Sequence, residues 1–388
     1  MDGNNGLTAL LPGPPDWAIP WEALRSSPLG TFFARMEKTP QNPAYHGEGD
    51  VWTHTRMTCE ALAGLDRFRR LEERQRQAVF LAALLHDAGK IVCTRMENGN
   101  WVSPRHAAAG AELAREALWL DWGLCGRTGQ ALRETVCALI RRHSLPPHAA
   151  LEPEGERRLL RAAANGELLP DFTVELLCLL AEADILGRRC ADREALLEAV
   201  ALCRVLAEEL DCLTAPRRFP DGYTAFACLS GQAGAGTYPL YDGTWGEVIL
   251  LSGLPGTGKD TWIAAHCPEL PAVSLDGIRE ELGIGPTQPQ GPVIAAARAR
   301  AQALLRQKRP FVWNATNLSP AIRQKQVELF TAYHASVRIV YLETEWEERR
   351  RRNRSRAAAV PEEAVLRMLS KLTPPERFEA HQVEWRCV

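Results

Sequence analysis

Residues 248–261 read VILLSGLPGTGKDT, which joins four apolar residues, a glycine-rich loop and the start of a predicted helix. The loop fits the P-loop pattern G-x-x-x-x-G-K, whose glycines let backbone N–H groups turn toward a phosphate. The helix that follows directs its N-terminus at the anion, and Lys259 is expected over the β- and γ-phosphates of a nucleoside triphosphate. The predicted nucleotide-binding residues of the loop are Gly253, Leu254, Pro255, Gly256, Thr257, Gly258, Lys259, Asp260 and Thr261.

The residue after the P-loop lysine departs from the usual pattern. A serine or threonine commonly stands there and contacts Mg²⁺ through its hydroxyl. This chain has Asp260 at that position and Thr261 after it. Either side chain could hold Mg²⁺, directly or through water. The sequence therefore predicts a triphosphate with Mg²⁺, leaves the metal contact open between these two residues, and does not distinguish ATP from GTP.

Length and charge set the outer limits of the interpretation. The chain has 388 residues and a formal charge of −2, so we expect two domains and no bulk attraction to nucleic acid or membrane. Its eleven cysteines form no C-x-x-C pair, which favours reduced thiols in a cytoplasmic protein. The N-terminus lacks a basic start and a long apolar run, so we expect no signal peptide and no membrane partner.

Two patterns of secondary structure divide the chain. Apolar residues spaced by three and four predict helices from about residue 50 to 211, at 52–70, 74–88, 105–119, 129–143, 172–189 and 191–211. After a stretch rich in proline and glycine, strands predicted at 247–252, 271–275, 310–315 and 337–342 alternate with helices. This alternation indicates a parallel sheet. We expect an all-α domain at 1–215 and an α/β P-loop domain at 216–388, with 216–246 as linker or strap.

The helical half contains ionisable residues in apolar surroundings. His54, the pair His86-Asp87, and Asp184 lie on three predicted helices, and the last three follow long runs of apolar or small residues. Burying such groups alone costs several kcal/mol, on the order of the transfer penalty for a polar group. A divalent metal is the simplest partner for two histidines and two aspartates. The alternative for each histidine is an ordinary hydrogen-bonded residue at a helix end.

Three further residues extend this candidate site. His106 and His143 fall near predicted helix ends and could form a second metal half-site or bind phosphate. Lys90 follows Gly89 and is a candidate phosphate clamp. His46, by contrast, is interpreted as a surface or loop residue.

In this order the residues resemble the HD-domain metal phosphohydrolases. The matching motifs are His54, His86-Asp87 within LHDAGK, and Asp184 within ADILGR, and their flanks look like the HD modules attached to bacterial tRNA nucleotidyltransferases. The resemblance covers about residues 40–210. It implies one or two divalent transition-metal ions that activate water against a phosphate ester. The implied metal ligands are His54, His86, Asp87, His106, His143 and Asp184, with Asp87 and Lys90 as catalytic residues.

The P-loop half offers a second set of charged residues. Asp276 follows a predicted strand, and the carboxyl end of a parallel strand faces the substrate crevice. It could accept the proton of a hydroxyl that attacks the γ-phosphate, or it could simply cap the next helix. Arg279 could reach a phosphate on the acceptor. The polar stretch 314–317, after the third strand, is expected in the same crevice. It could position Mg²⁺, a water molecule or the loop itself, and the sequence does not distinguish these three roles.

Six arginines lie within eight positions between residues 349 and 356. Such a run is usually a solvated face or a nucleic-acid patch, but in a phosphotransferase it is also where a lid clamps the transferring phosphate. The spacing predicts that Arg352 and Arg356 share one face and that Arg349 joins them. The remaining arginines are expected to point elsewhere.

These features resemble the P-loop polynucleotide 5′-kinases. The match comprises the loop 253–261, Asp276-x-x-Arg279, the stretch 314–317 and the lid 352–356. The resemblance implies that Asp276 is the general base for a 5′-OH, that Arg279 contacts the acceptor phosphate, and that Lys259 and the lid residues Arg352 and Arg356 hold the donor.

The order of the two domains resembles the bacterial HD-domain polynucleotide kinases of RNA repair. It implies that the kinase domain, with an Arg-rich lid, phosphorylates a 5′-OH using ATP or GTP, and that the HD domain removes a 3′-phosphate or opens a 2′,3′-cyclic phosphate. RNA ends, or DNA ends, would be the substrates, and an RNA ligase a partner in the same pathway. Two alternatives stay open: a small-metabolite kinase fused to an HD nucleotidase, and an HD phosphohydrolase regulated by nucleotide.

Overall fold

The computed structural model describes residues 3–234, 236–356 and 359–388. The chain divides into two compact units, Met1–Arg217 and Arg218–Val388. Within the described ranges, no helix is both long enough and apolar enough to cross a membrane.

The first unit is helical, which confirms the fold predicted for this half of the chain. Its helices are α1 (Gly3–Thr8), α2 (Trp21–Ser26), α3 (Gly30–Met36), α4 (Val51–Gly64), α5 (Asp66–Arg69), α6 (Glu73–Leu85), α7 (Lys90–Cys93), α8 (His106–Leu120), α9 (Gly126–Arg142), α10 (Pro146–Ala149), α11 (Gly155–Ala164), α12 (Val174–Leu186) and α13 (Arg193–Glu209). The single helix predicted at 52–70 is two helices, because Leu65 takes an extended conformation between them.

A small hairpin and the helices α7, α10 and α11 of this unit were not predicted. The hairpin pairs β1 (Arg95–Glu97) with β2 (Asn100–Val102). Its turn is Asn98-Gly99, and both residues have positive φ, as a two-residue hairpin loop requires. The Asn-Gly pair was therefore the available signal.

The core of the first unit surrounds α12 and the second half of α6. Helix α12 is apolar on nearly all sides and buried along most of its length, as expected for a helix enclosed by others. It packs against α4, α6, α9 and α13. Because α6 also packs on both α4 and α9, the ends of several helices come together at one place in the unit.

The second unit is an α/β structure with a five-stranded parallel sheet in the order β4-β5-β3-β6-β7, as predicted for this half. The strands are β3 (Glu247–Ser252), β4 (Ala272–Ser274), β5 (Phe311–Asn314), β6 (Ser336–Glu343) and β7 (Gln382–Cys387). The helices are α14 (Gly222–Ser230), α15 (Lys259–His266), α16 (Leu275–Leu282), α17 (Gly291–Arg306), α18 (Pro320–Thr331), α19 (Trp346–Arg354) and α20 (Glu362–Leu369).

Two elements of this unit differ from expectation. Strand β7 was not predicted, because Gln382–Cys387 is an edge strand with few apolar residues. Helix α14 lies inside the stretch predicted as linker or strap. It begins at Asp221, whose side chain accepts a hydrogen bond from the Thr224 backbone N–H, and its residues Thr224 to Leu229 are buried.

The sheet places the P-loop at its centre. Strand β3 is buried from Val248 to Ser252 and packs with β5, β6 and the first turn of α15 in one apolar cluster. Strand β5 lies between β3 and β4. The carboxyl ends of these three parallel strands meet at one edge, which is where substrates bind in open α/β sheets.

Candidate metal centre and nucleotide site

The first unit brings together all six residues predicted to bind metal, and each lies near a helix end. They are His54 in the first turn of α4, His86 and Asp87 directly after α6, His106 at the start of α8, His143 directly after α9, and Asp184 in the last turn of α12. All are buried except His106, whose side chain is 25% exposed. The helix packing of the core therefore assembles the cluster.

One half of the cluster contains His54, His86 and the two aspartates. The two imidazole Nε2 atoms lie 3.2 Å apart. His54 Nε2 is 2.9 Å from Asp184 Oδ1, and His86 Nε2 is 3.4 Å from Asp87 Oδ2. Ligand atoms of His54, His86 and Asp87 all lie within 4.8 Å of one another, close enough to hold one metal ion.

The other half contains His106 and His143. Their Nε2 atoms are 3.4 Å apart, and His106 Nε2 is 3.4 Å from Asp87 Oδ1. These three residues also have ligand atoms within 4.8 Å of one another. Since Asp87 turns one carboxylate oxygen to each half, it is positioned to bridge two ions.

The hydrogen bonds of the histidines test whether this donor set suits a metal. The Nδ1 atom of each of the four rings lies near a backbone carbonyl oxygen. The distances are 2.8 Å from His86 to Ala83, 2.9 Å from His106 to Ser103, 2.7 Å from His143 to Ile140 and 3.3 Å from His54 to Gly187. A carbonyl only accepts, so Nδ1 carries the proton and Nε2 presents a lone pair to the cluster. Lone pairs facing each other at 3.2 and 3.4 Å call for a cation between them. The residues fit a divalent metal.

Two cations balance the buried carboxylates. Lys90 Nζ lies 2.7 Å from Asp87 Oδ2, and Arg188 forms an ion pair with Asp184. Burial would raise the pKa of each carboxyl, but Lys90 with the neighbouring histidines at Asp87, and Arg188 with the histidines at Asp184, together outweigh it and hold both pKa values well below the usual range. Burial also lowers the pKa of His143 to about 3, with His86 and His106 adding to the decrease.

Four participants were missed by the sequence interpretation. Lys90 Nζ donates to Gln41 Oε1 at 2.6 Å and lies 3.3 Å from His46 Nε2. Glu48 Oε1 accepts from His46 Nδ1 at 2.8 Å and lies 3.0 Å from His54 Nδ1. The prediction that His46 is a surface or loop residue is therefore wrong in its exposure, since only 9% of the residue is exposed.

The fourth missed residue, Arg188, had a sequence signal. It follows Asp184 by four residues within the helix predicted at 172–189, and side chains meet at this spacing. In the structure α12 ends at Leu186, and Arg188 pairs with Asp184 from just beyond it. Gln41, His46 and Glu48 lie in loops with no periodic pattern, so nothing in the sequence pointed to them.

A close backbone contact sets the position of His106. A Cβ on Gly89 would overlap the carbonyl oxygen of His106 and lie 2.5 Å from the backbone N of Gly110. Only glycine allows α8 to approach the turn after Asp87 this closely. This approach brings the His106 ring to the Asp87 carboxylate.

In the second unit, the P-loop encloses its lysine. Lys259 Nζ donates to the carbonyls of Gly253 at 3.0 Å and Leu254 at 2.9 Å. Gly256 has φ +86°, and a Cβ there would lie 2.8 Å from the Arg349 carbonyl oxygen. Burial lowers the pKa of Lys259 to about 8, and the Arg356 guanidinium adds to the decrease.

Asp276 lies on the first turn of α16, at the edge where β4 ends. Helix capping does not explain it, because the cap is Ser274, whose Oγ accepts from the Gly277 backbone N–H at 3.3 Å. The Asp276 carboxylate forms an ion pair with Arg279 and lies 3.6 Å from Arg356 Nη2. Its side chain is 73% exposed, so an acceptor hydroxyl can reach it.

The arginine run divides into exposed and buried members. Arg352 Nη1 lies 3.3 Å from where a Cβ on Gly258 would be, so this arginine sits against the P-loop. The prediction that Arg349 joins Arg352 and Arg356 is wrong. Arg349 is fully buried, bonds Glu362 at 2.8 Å and stacks on Trp346.

Neighbouring glutamates hold two of the remaining arginines. Arg350 Nη1 lies 2.9 Å from Glu347 Oε1, and Arg351 Nε lies 2.7 Å from Glu348 Oε2. Glu348 also holds Arg352, whose Nε is 2.6 Å from Glu348 Oε1. The run thus combines a structural arginine, surface ion pairs, and two arginines at the crevice, Arg352 beside the P-loop and Arg356 beside Asp276.

The two candidates for the Mg²⁺ contact differ in their surroundings. Asp260 Oδ1 accepts a hydrogen bond from Asn314 Nδ2 at 2.7 Å, which ties the first turn of α15 to the end of β5. Thr261 is exposed, and its hydroxyl makes no hydrogen bond with the described residues.

Comparison with known proteins agrees with this division. Residues 51–189 match the HD domain family, and residues 248–375 match the AAA domain family. The chain is also similar to the multifunctional CCA protein of Halorhodospira halophila, with 35% identity over 116 residues. That match covers 29% of this chain and 23% of the relative, so the chain spans under a quarter of the relative's length. The protein therefore fuses an HD hydrolase domain to a P-loop, kinase-like domain.

Proposed function

We propose that this protein is a bifunctional nucleic-acid end-healing enzyme. The P-loop domain transfers the γ-phosphate of ATP or GTP to a 5′-OH end, and the HD domain hydrolyses a 3′-phosphate or a 2′,3′-cyclic phosphate. The observation that carries the proposal is the Asp276 carboxylate, exposed beside the P-loop and flanked by Arg279 and Arg356. A base set between two guanidinium groups suits a hydroxyl acceptor that itself carries phosphate.

In the kinase reaction, the 5′-hydroxyl oxygen forms a bond to the γ-phosphorus and the bond from that phosphorus to the β-phosphate oxygen breaks. The hydroxyl proton passes to Asp276, and the nucleoside diphosphate leaves. Lys259 and Arg352 balance charge on the donor phosphates, and Arg279 binds the first internucleotide phosphate of the acceptor. Such positioning and charge balance supply most of the catalysis in phosphoryl transfer.

In the HD domain, His54, His86, Asp87 and Asp184 would hold one divalent transition-metal ion, and Asp87, His106 and His143 a second. The bound metal lowers the pKa of water and neutralises charge on the phosphate. Lys90, beside Asp87, and Arg188, beside Asp184, would then bind the substrate's phosphate oxygens. Hydrolysis of a 3′-phosphate consumes one water and releases phosphate and a 3′-OH. Hydrolysis of a cyclic phosphate opens one of its two ester bonds.

The pairing of activities fits one kind of substrate. RNA cleaved by attack of its own 2′-OH carries a 5′-OH and a 2′,3′-cyclic phosphate, which are the reverse of the ends that a ligase commonly joins. One chain with both domains would correct both ends. We therefore propose RNA ends as the main substrate, with DNA ends as a second possibility, and an RNA ligase as the enzyme acting next.

The test uses an RNA oligonucleotide with a 5′-OH and a 3′-phosphate. It is incubated with ATP or GTP in Mg²⁺ alone or in Mg²⁺ with a transition metal, and both ends are followed by mass spectrometry. The proposal expects a gain of the 5′-phosphate and loss of the 3′-phosphate. Transfer to nucleosides but not oligonucleotides would favour a small-metabolite kinase with an HD nucleotidase. Nucleotide-dependent hydrolysis without transfer would favour a regulatory P-loop domain.

A further inference from the structure

Asp260 stands where P-loops usually carry a neutral hydroxyl, and the structure fixes its side chain. Asn314, 8% exposed at the carboxyl end of β5, donates from Nδ2 to Asp260 Oδ1 at 2.7 Å. The other carboxylate oxygen, Oδ2, makes no hydrogen bond or ion pair with the described residues. One oxygen is thus anchored and the other is available to a ligand.

The anchor places this carboxylate on the side of the crevice where phosphoryl transfer would occur. Strand β5 lies between β3, which leads into the P-loop, and β4, which leads into the helix of Asp276. Asn314 pairs in register with Ser274, the cap of that helix. The hydrogen bond to Asn314 therefore holds the Asp260 carboxylate at the carboxyl end of β5, the strand between those that lead into the P-loop and into the helix of the proposed general base. Thr261 has no comparable anchor.

We propose that Asp260 is the protein ligand of the nucleotide-bound Mg²⁺ and that it makes nucleotide binding strictly dependent on metal. Carboxylate oxygen is a preferred ligand of Mg²⁺. A carboxylate beside a triphosphate also repels it, an effect that a neutral serine or threonine does not have. Lys259 and Arg352 attract the nucleotide with or without metal, whereas Asp260 opposes the metal-free form and favours the metal complex.

This inference rests on the proposed nucleotide-binding function of the P-loop, and its test separates the two. The dissociation constant of ATP is measured by calorimetry for the full-length protein in EDTA and in Mg²⁺. The variants are Asp260→Ser, which restores the usual hydroxyl, and Asp260→Asn, which keeps a hydrogen-bonding group for Asn314 without the charge. Glu269→Gln, an exposed carboxylate of the same unit, is the control.

We expect the wild type and Glu269→Gln to bind ATP at least about 100-fold more tightly in Mg²⁺ than in EDTA, since the metal removes the repulsion between the Asp260 carboxylate and the adjacent triphosphate. Both Asp260 variants should bind metal-free ATP about tenfold more tightly than the wild type, because the repulsive charge is gone. Asp260→Asn should also lose most of the Mg²⁺ dependence, whereas Asp260→Ser should keep part of it, because its hydroxyl can contact the metal. Thermal melting confirms folding, and Asp260→Asn carries the test if Asp260→Ser unfolds.

Two results would overturn the inference. In one, both Asp260 variants match the wild type in EDTA and in Mg²⁺, so that the aspartate serves only to tie α15 to β5. In the other, Thr261→Ala alone removes the metal dependence. Failure of the wild type to bind any nucleoside triphosphate in either buffer would instead refute the P-loop function, and the inference with it.

Discussion

The metal centre of the first unit and the P-loop site of the second hold their charges in opposite ways. The metal centre draws side chains from positions 54 to 184 and buries nearly all of them. The phosphate contacts proposed for the P-loop site come mostly from one continuous stretch of backbone, and its proposed base, Asp276, is 73% exposed. One site is assembled by helix packing, and the other is built largely by a local turn.

This difference determines what each site needs in order to work. In the metal centre, every buried charge has a partner within the protein, such as Lys90 for Asp87 and Arg188 for Asp184. Substitutions that remove hydrogen bonds around the ligands should therefore change the affinity for metal. In the P-loop site, Lys259 is held by two carbonyls and its charge is left for the substrate. In this site, substitutions of single charged residues that face the substrate should have the largest effect on the rate of phosphoryl transfer.

The largest effect is expected at Asp276. Asp276→Ala should lower the rate of 5′-phosphorylation by about 10²- to 10⁴-fold, the usual contribution of a general base. Nucleotide affinity should change little, because the carboxylate faces the acceptor. Rate and affinity are measured by transfer of labelled γ-phosphate and by calorimetry. Unchanged transfer with retained binding would refute the general-base role.

The next largest effect is expected in the arginine run, where Arg356 is the residue tested and Arg351 provides the control. Arg356→Ala should lower kcat/KM for 5′-phosphorylation by about 10²-fold, as removal of a transition-state donor commonly does. Arg351→Ala should change it by less than about twofold, because this side chain is 75% exposed and pairs with Glu348 on the surface. Equal losses in the two variants would mean that the run acts as an undivided patch of charge.

Glu48 tests whether the metal centre depends on residues behind its ligands. Glu48→Gln should weaken metal binding by about tenfold or more, because the carboxylate that orients His54 is lost. Metal affinity is measured by titration with a chelator, independently of activity. Glu60→Gln, an exposed change on the same helix, should leave affinity unchanged. Equal affinity in the wild type and both variants would show that Glu48 does not support the site.

The smallest effect concerns pH. The pKa of Lys259 is lowered to about 8, so the free protein loses this positive charge as pH rises through 8. Phosphate binding favours the charged form, so affinity should be nearly constant below pH 7 and fall as pH rises through 8, by about fourfold between pH 7 and 8.5. Lys259→Arg, which stays charged, should bind with a flatter profile. An identical decline in both proteins would assign the effect to another group.

Much of the fold and of the two candidate sites could be predicted from the sequence, because its strongest patterns are local. The P-loop, the helical pattern of the first half and the alternation of strands and helices in the second could be predicted from spacing and residue type. The six candidate metal ligands were also predictable, because ionisable residues in apolar helices need partners. The structure brings these six together.

The parts that could not be predicted depend on contacts between distant segments. The loop residues Gln41, His46 and Glu48 acquire their positions only when the packed helices bring them to Lys90 and His54. Arg349 could not be separated from its neighbours by helical spacing, because its burial depends on Glu362 and Trp346.

The central claim is that one chain carries two independent phosphate chemistries. The most direct measurement follows both ends of an RNA with a 5′-OH and a 3′-phosphate, treated with wild-type protein, Asp87→Ala or Lys259→Ala. Asp87→Ala should retain 5′-phosphorylation and leave the 3′-phosphate in place, whereas Lys259→Ala should remove the 3′-phosphate and leave the 5′-OH. If either variant, folded by thermal melting, loses both reactions, the claim of two independent sites is wrong.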